Sequence, residues 1–404
     1  MAATTATNYA KFLKELYRGS VPADLCYDSN AFLALVPKNP NTGGTKYIKP
    51  VRHSYVTGRG ASYSTANTNI GPAARLRWEL DWTDHYVKAA VTNKAMELSE
   101  GAGDASAFKS LLVDETDVCH QAFANDVEIE LHQDGTGTRG VATAGIAVLV
   151  IQLQAGQGVN FNVGDKLVHL NSANALLDAG EEQIVTIVDR DRDRISVDAD
   201  WTTATIAGHK FVLSGDQNLK AKGLKAWLPG TGVAAAAFNS IDRTVDPARL
   251  AGVDGVKGTL SGLLITDMLV QTCAKINKNG GRPNLAFLSP EDFADFALET
   301  ESRGQYTKVK ATTGSVSFSA LEIQTGAGAV PVVADRHTQS DQAFILDTRA
   351  IELYSTNALP SMFKKDGSFY NRAETADEIS FYLYGFYGLA VQEPGKCSWV
   401  QDAY

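Results

Sequence analysis

From Asp104 to Asp134 the residues Phe108, Leu111, Leu112, Cys119, Ala122, Phe123, Val127 and Leu131 recur every three or four positions. That spacing places one apolar stripe on a helix, with the acids, Lys109 and Gln121 off it. Asp104 is a candidate N-cap and Gly135 a candidate stop. No proline falls between Pro72 and Pro229, so nothing forces a kink. At 1.5 Å per residue the helix would reach roughly 45 Å, which makes it a spine for the rest of the chain.

Before the spine, residues 1–43 combine a small-residue tail, a short amphipathic helix over Tyr9–Tyr17 and a stretch rich in Pro, Asn and Gly. This reads as a loose arm that needs another surface. Thr45–Val56 and Leu76–Val91 alternate as strands, with the polar, glycine-rich segment YVTGRGASYSTANTNIGP between them. The prediction is a long two-stranded ribbon with a loose tip, which cannot bury itself. Trp78, Leu80 and Trp82 alternate with Arg77, Glu79 and Asp81, so one face expects contact. Tyr55, Arg59 and Tyr63 join them as subunit-contact candidates, and Gly58, Gly60 and Gly71 are candidate hinges.

After the spine the period changes. Residues 142–218 carry short strands separated by turn residues, the texture of a small inserted β-barrel. Leu260–Asn277 reads as an amphipathic helix and Asn284–Leu288 as a buried strand. Ser289-Pro290-Glu291-Asp292 is a helix start, with Ser as N-cap, Pro at the first position and acids in the first turn. Strands follow at Leu321–Gln324, Val330–Asp335 and Ala343–Asp347, so this region is an α/β layer. The segment from Glu378 onward reads as a long aromatic strand.

Composition narrows the function. The chain has 404 residues, 37 Lys and Arg against 46 Asp and Glu, and a formal net charge of −9, which argues against tight duplex binding. Four separated cysteines, Cys26, Cys119, Cys273 and Cys397, form no CxxC pair and imply reduced thiols. Residues 1–20 lack a basic head and apolar core, so no signal peptide is expected, and no apolar run could span a bilayer. Gly135, Gly137 and Gly140 spell GxGxxG, but a helix precedes and a strand follows, the reverse of the dinucleotide context. Asp189, Asp191, Asp193 and Asp200 fall at calcium-loop positions, yet Arg194 stands where glycine is needed, so a charged hairpin turn is expected. His120 and His132 have no partners at zinc spacing, and Lys46 and Lys49 read as solvated charge. No catalytic constellation survives its context; catalytic, metal and cofactor sites are all expected to be absent.

The order of parts, together with LSPEDFADFA from Leu288, AVPVVAD, AFILD and the closing FYNRAETADEISFYLYGFYGLAVQEP, resembles the major capsid protein of tailed double-stranded-DNA bacteriophages. The resemblance implies an α+β class, the Johnson fold, divided as follows: arm 1–43, extended ribbon loop 44–91, peripheral domain with spine 92–141, inserted β-domain 142–218, connection 219–252, axial domain 253–361 and returning strands 362–404. It implies a structural, non-enzymatic protein of the virion, assembled in the host bacterial cytoplasm into an icosahedral shell. Implied partners are copies of itself in hexamers and pentamers, portal, scaffolding and decoration proteins, and packaged double-stranded DNA by weak non-specific contact, with no membrane and no cofactor. Scaffolding, if used, is expected on a separate chain. An encapsulin-type nanocompartment shell is the alternative with the same fold; a multidomain cytoplasmic enzyme or binding module is the alternative of another class.

Overall fold

The computed structural model describes residues 30–52, 54–95, 111–147, 149–230, 233, 237–255, 264–303, 307–313, 316–326, 328–364, 369–372 and 377–401. The spine is an unbroken α-helix over Leu111–His132. Cys119, Phe123, Val127 and Leu131 of the expected stripe are buried. Gly135 follows the helix at φ +88°, the left-handed conformation expected of a stop. The Asp104 cap, Phe108 and the Tyr9–Tyr17 helix lie outside the described residues.

The spine packs on a six-stranded sheet built around one long strand, Glu378–Val391. Thr83–Thr92 runs antiparallel along one side of it, from Thr92 opposite Glu378 to Thr83 opposite Tyr387. The other side takes three short strands, Asn371–Arg372, Ser361–Met362 and Ile351–Ser355. Phe381, Leu383, Tyr387 and Leu389 share one core with Phe123 and Val127 of the spine. Residues 30–43 are not a loose arm. Ala31–Leu35 is a short helix with Phe32 buried, and Lys38–Asn39 adds a parallel edge to Leu353 and Tyr354.

The ribbon pairs Tyr47–Arg52 with Arg75–Leu80, Tyr47 opposite Leu80. The second strand does not continue to Val91 in that ribbon. It breaks after Leu80, and Thr83 onward joins the body. Nor is the tip loose throughout, because Tyr63–Thr68 is helical and the Ser62 side chain accepts the Thr65 N–H at 3.2 Å. The largest correction concerns the ribbon base. Trp78 is 0 % exposed and Leu80 2 %, and Trp78 meets Trp227 edge-on at 5.0 Å between ring centroids. These two side chains cover the chain's own core and cannot be offered to a neighbour. Trp82 is half-buried, its indole N–H donating to the Gly44 carbonyl at 2.8 Å.

Strands from Thr138 to Leu213 close into a six-stranded barrel around Ile151, Leu153, Phe161, Leu167, Val185, Ile195 and Phe211. Its first strand begins at Thr138, ahead of the expected 142. Asp189, Asp191 and Asp193 of the calcium-loop positions fall in the Asp189–Arg194 turn, Asp200 beyond the next strand, and the Asp193 carboxylate accepts the N–H groups of Gly156 at 3.0 Å and Gly158 at 2.8 Å.

A second six-stranded sheet carries the helices Ile265–Lys278 and Pro290–Arg303. The Ser289 side chain accepts the Asp292 N–H at 3.1 Å, as the cap reading requires. Two assignments cross the expected boundary at residue 361. Ile351–Ser355 belongs to the first sheet, and Ser398–Val400 is the edge of the second, antiparallel to Ala343–Ile345. Thr307–Thr313 forms a hairpin with Val316–Thr325 that the polar sequence TKVKATT does not announce. Among the described residues no helix is long and apolar enough to cross a membrane.

Trp78→Ala tests the inward placement. The expected loss of subunit stability is about 3–5 kcal/mol in denaturant unfolding, the cost of emptying an aromatic site in a core; unchanged stability would mean that Trp78 faces outward.

Candidate assembly surfaces and the charge cluster behind them

The ribbon beyond its base groups several exposed apolar side chains within a short stretch. Tyr63 is 88 % exposed, Ile70 77 % and Tyr55 65 %, while Val56 and Ile48 are also exposed. Between Gly44 and Leu80 stand Lys46, Lys49, Arg52, Arg59, Arg75 and Arg77 against Glu79 alone. The charge is graded along the ribbon. At the base, Lys49 pairs with Glu352, so it is not simply solvated, and Lys46 and Arg77 pair with Glu79. Toward the tip, Arg52, Arg59 and Arg75 have no carboxylate partner among the described residues, and the guanidinium groups of Arg52 and Arg59 each lie 5.9 Å from the Tyr55 ring centroid.

The hinge candidates have a packing explanation. A Cβ on Gly60 would stand 2.7 Å from Thr65 Cβ, and one on Gly71 2.5 Å from Thr57 Oγ1. Gly60 lets the loop lie against the tip helix, and Gly71 lets the two sides of the loop approach at Thr57. Gly58 is half-buried, with ordinary spacing to Ala66 and Ile70.

The body is held together by polar groups on the last turns of the spine, where residues 127–133 are all buried. Glu128 accepts the N–H groups of Phe32 at 2.8 Å and Leu33 at 2.7 Å. Glu130 accepts Lys220 Nζ at 2.8 Å and the Tyr387 hydroxyl at 2.5 Å. Asp126 takes Arg139 at 2.7 Å, and Asn125 takes Arg336 at 2.7 Å. His132 Nδ1 lies 2.9 Å from the Glu128 carbonyl and Nε2 2.8 Å from Asp335 Oδ2. Both ring nitrogens face acceptors, an arrangement that favours the doubly protonated, positively charged ring. Burial works against that charge, but Asp335 and Glu128 raise the His132 pKa above its ordinary value. His337 is the opposite case. Its Nε2 accepts Arg336 Nε at 2.9 Å, and burial pushes its pKa down to about 3.

Burial raises Glu128, and the nearby Asp335 adds to that, against His132 and the two N–H donors. Burial would raise Glu130 too, but His85 and Lys220 more than reverse it and hold it down to about 2. Glu128, His132 and Asp335 stand close enough to hold a cation. Each oxygen of Glu128 already receives a backbone N–H, and Asp335 Oδ2 receives the Thr338 hydroxyl at 3.0 Å. The group is closed as an internal network. Sequence periodicity missed it, because Glu128 and Glu130 lie off the stripe. The signal available was VEIELH, whose apolar residues at every second position leave a helix no solvent face.

Residues 196–404 match the family described as SU10 major capsid protein. The chain belongs to that family. As an SU10 major capsid protein it is a structural shell component and not an enzyme. Solved capsid structures share its fold. The cyanophage A-1(L) capsid subunit is 12 % identical with a TM-score of 0.56, covering 95 % of each chain. The capsid of the native GTA particle is 10 % identical at TM-score 0.50, covering 96 % of this chain and 94 % of that one. The holo-SrpI encapsulin complex from Synechococcus elongatus PCC 7942 is 11 % identical at TM-score 0.50, covering 100 % and 96 %. No curated protein matches the sequence. Capsid proteins of this fold form shells from many copies, and this major capsid protein is a component of such a self-assembling shell.

The held-down Glu130 carboxyl makes a pH prediction. Its folded pKa near 2 lies below the ordinary 4.5, so its contribution is complete above pH 4.5 and is lost as pH falls through about 2. The amount is on the order of 3 kcal/mol. Glu130→Gln should therefore unfold more easily at pH 7 and show a shallower loss of stability between pH 4.5 and 2, measured by denaturant titration at stepped pH. An acid profile parallel to wild type would contradict the assignment.

Proposed function

We propose that this chain is the tile of an icosahedral virion shell around double-stranded DNA, and that the ribbon is its principal grip on neighbouring copies. The observation that carries the reading is the pairing of an SU10 major capsid sequence with a projecting ribbon whose tip exposes Tyr55, Val56, Tyr63 and Ile70. A ring closes when one patch meets a different patch on the next copy, repeated by rotation. Hexamers and pentamers follow if the tip of each copy lies on the next. Each exposed aromatic or aliphatic side chain covered there contributes about 25 cal/mol per Å² of apolar area removed from water. Many weak contacts per tile make a shell strong through multivalency.

Tyr55, Arg59 and Tyr63 carry the contact in this reading; Trp78 and Leu80 hold the ribbon's root. Gly58, Gly60 and Gly71 sit where a change of ribbon angle would be taken up. The barrel lies outside most of the family match and suits a surface for a decoration protein. Portal and scaffolding proteins are the remaining partners, and assembly takes place in the cytoplasm of the host bacterium. The net charge of −9 keeps the grip on packaged DNA weak and non-specific.

Deleting Val56–Ile70 should leave a folded subunit that forms no shells in electron micrographs. Shells at normal yield would remove the ribbon from its role. Extracting wild-type particles tests the cargo: genomic DNA is expected, and an enclosed enzyme in its place would support a nanocompartment of the encapsulin kind.

A further inference from the structure

A cavity of about 290 Å³ opens where the barrel, the end of the spine, the second sheet and the Ser398–Val400 strand meet. Its walls include Gln154 and Gln157 from the barrel, Gln339 and Gln342 from the loop before Ala343, Trp399, and Lys225. The amide orientations can be deduced. Gln157 Oε1 lies 2.6 Å from the Val141 N–H, which can only donate, so its amide nitrogen points to Gln154 Oε1 at 3.1 Å. That leaves the NH₂ of Gln154, an exposed residue on the cavity wall, with no protein acceptor among the described residues. The same logic repeats across the cavity. Gln342 Oε1 takes the Trp399 indole N–H at 3.3 Å, its nitrogen donates to Gln339 Oε1 at 2.7 Å, and the Gln339 NH₂ is left over.

Lys225 is the third unmatched donor. Its ammonium lies 5.6 Å from the Trp399 ring centroid, and no hydrogen bond or ion pair reaches it among the described residues. The other cations of the wall are engaged: Arg139 with Asp126 at 2.7 Å, and Lys210 with Asn174 at 2.7 Å. The one acid lining the cavity, Asp134, is exposed and accepts the Thr136 N–H at 3.0 Å. Burial lowers the Lys225 pKa to about 8, with Asp134 too weak to restore it. A site with two free amide donors, an uncompensated ammonium and room for several waters' worth of volume is built for an acceptor with negative charge.

We propose that this cavity binds a small oxyanion, with phosphate as its chemical type, and that the bound ion ties the barrel to the second sheet. Lys225 supplies the charge, and Gln154 and Gln339 orient the oxygens from opposite walls.

Thermal unfolding of the full chain in phosphate, against chloride at equal ionic strength, tests this. A saturable rise in Tm is expected, roughly 3 °C when phosphate is a hundredfold above its Kd. Lys225→Met should abolish the rise while leaving the Tm in chloride unchanged or higher, since a half-buried ammonium with no hydrogen bond or ion pair among the described residues is removed. Lys166→Met, on the outer barrel surface, should keep it. Gln339→Leu should raise the half-saturating phosphate concentration about tenfold, and it serves if Lys225→Met does not fold. A thymidine oligonucleotide at equal phosphate concentration separates a free ion from a nucleic-acid backbone, and no shift is expected from it. No saturable rise in wild type, an equal rise in Lys225→Met or in Gln339→Leu, or a shift with the oligonucleotide alone would overturn the proposal.

Discussion

Buried carboxylates on the last turns of the spine helix set the terms for the rest of the molecule. A buried charge without a partner costs several kcal/mol, so each must be met. The partners come from far apart in the chain: the Phe32 and Leu33 backbone for Glu128, and Lys220 and Tyr387 for Glu130; half-buried Asp126 in turn meets the buried Arg139. His132 carries the same demand across to Asp335 in the second sheet's loop. A hydrophobic interface would tolerate sliding. Directional bonds to these partners do not, and they hold both sheets and the barrel in one register against one helix.

Signals that act within a few residues were legible in the sequence. The Ser289 cap, the Gly135 stop, the Leu285–Leu288 strand and the run of barrel strands all follow from local chemistry. What failed required knowing the partner. Alternation at Trp78 and Leu80 correctly announced a covered face but could not say whether the cover was Trp227 of the same chain or another copy. Helical periodicity located the stripe of Phe123 and Val127, and by the same rule misplaced Glu128 and Glu130 on the outside. Residues 30–43 looked unattached because Lys38–Asn39 is held through backbone pairing to Leu353 and Tyr354, which leaves no side-chain trace.

The ribbon divides its chemistry by position. Near the body its basic residues are matched by Glu79 and Glu352, and its aromatic residues sink into the core. At the tip the aromatic rings stay exposed, and Arg52 and Arg59 lie near Tyr55 with no carboxylate partner among the described residues. An acidic body with a cationic, aromatic projection favours contact between unlike parts of two copies and disfavours contact between like parts. That asymmetry is what a head-to-tail ring requires.

The strand Glu378–Val391 has a temporal consequence. It is the partner of Thr83–Thr92 and of three later short strands, so the sheet under the spine has no centre until it arrives. A chain growing from the ribosome must carry Thr83–Thr92 with an unsatisfied edge until Glu378–Val391 has been made. The barrel, with every strand drawn from Thr138–Leu213, can close long before then. The sheet under the spine is thus conditional on its last long strand: a chain that stops before Glu378 has no partner for Thr83–Thr92 along that edge.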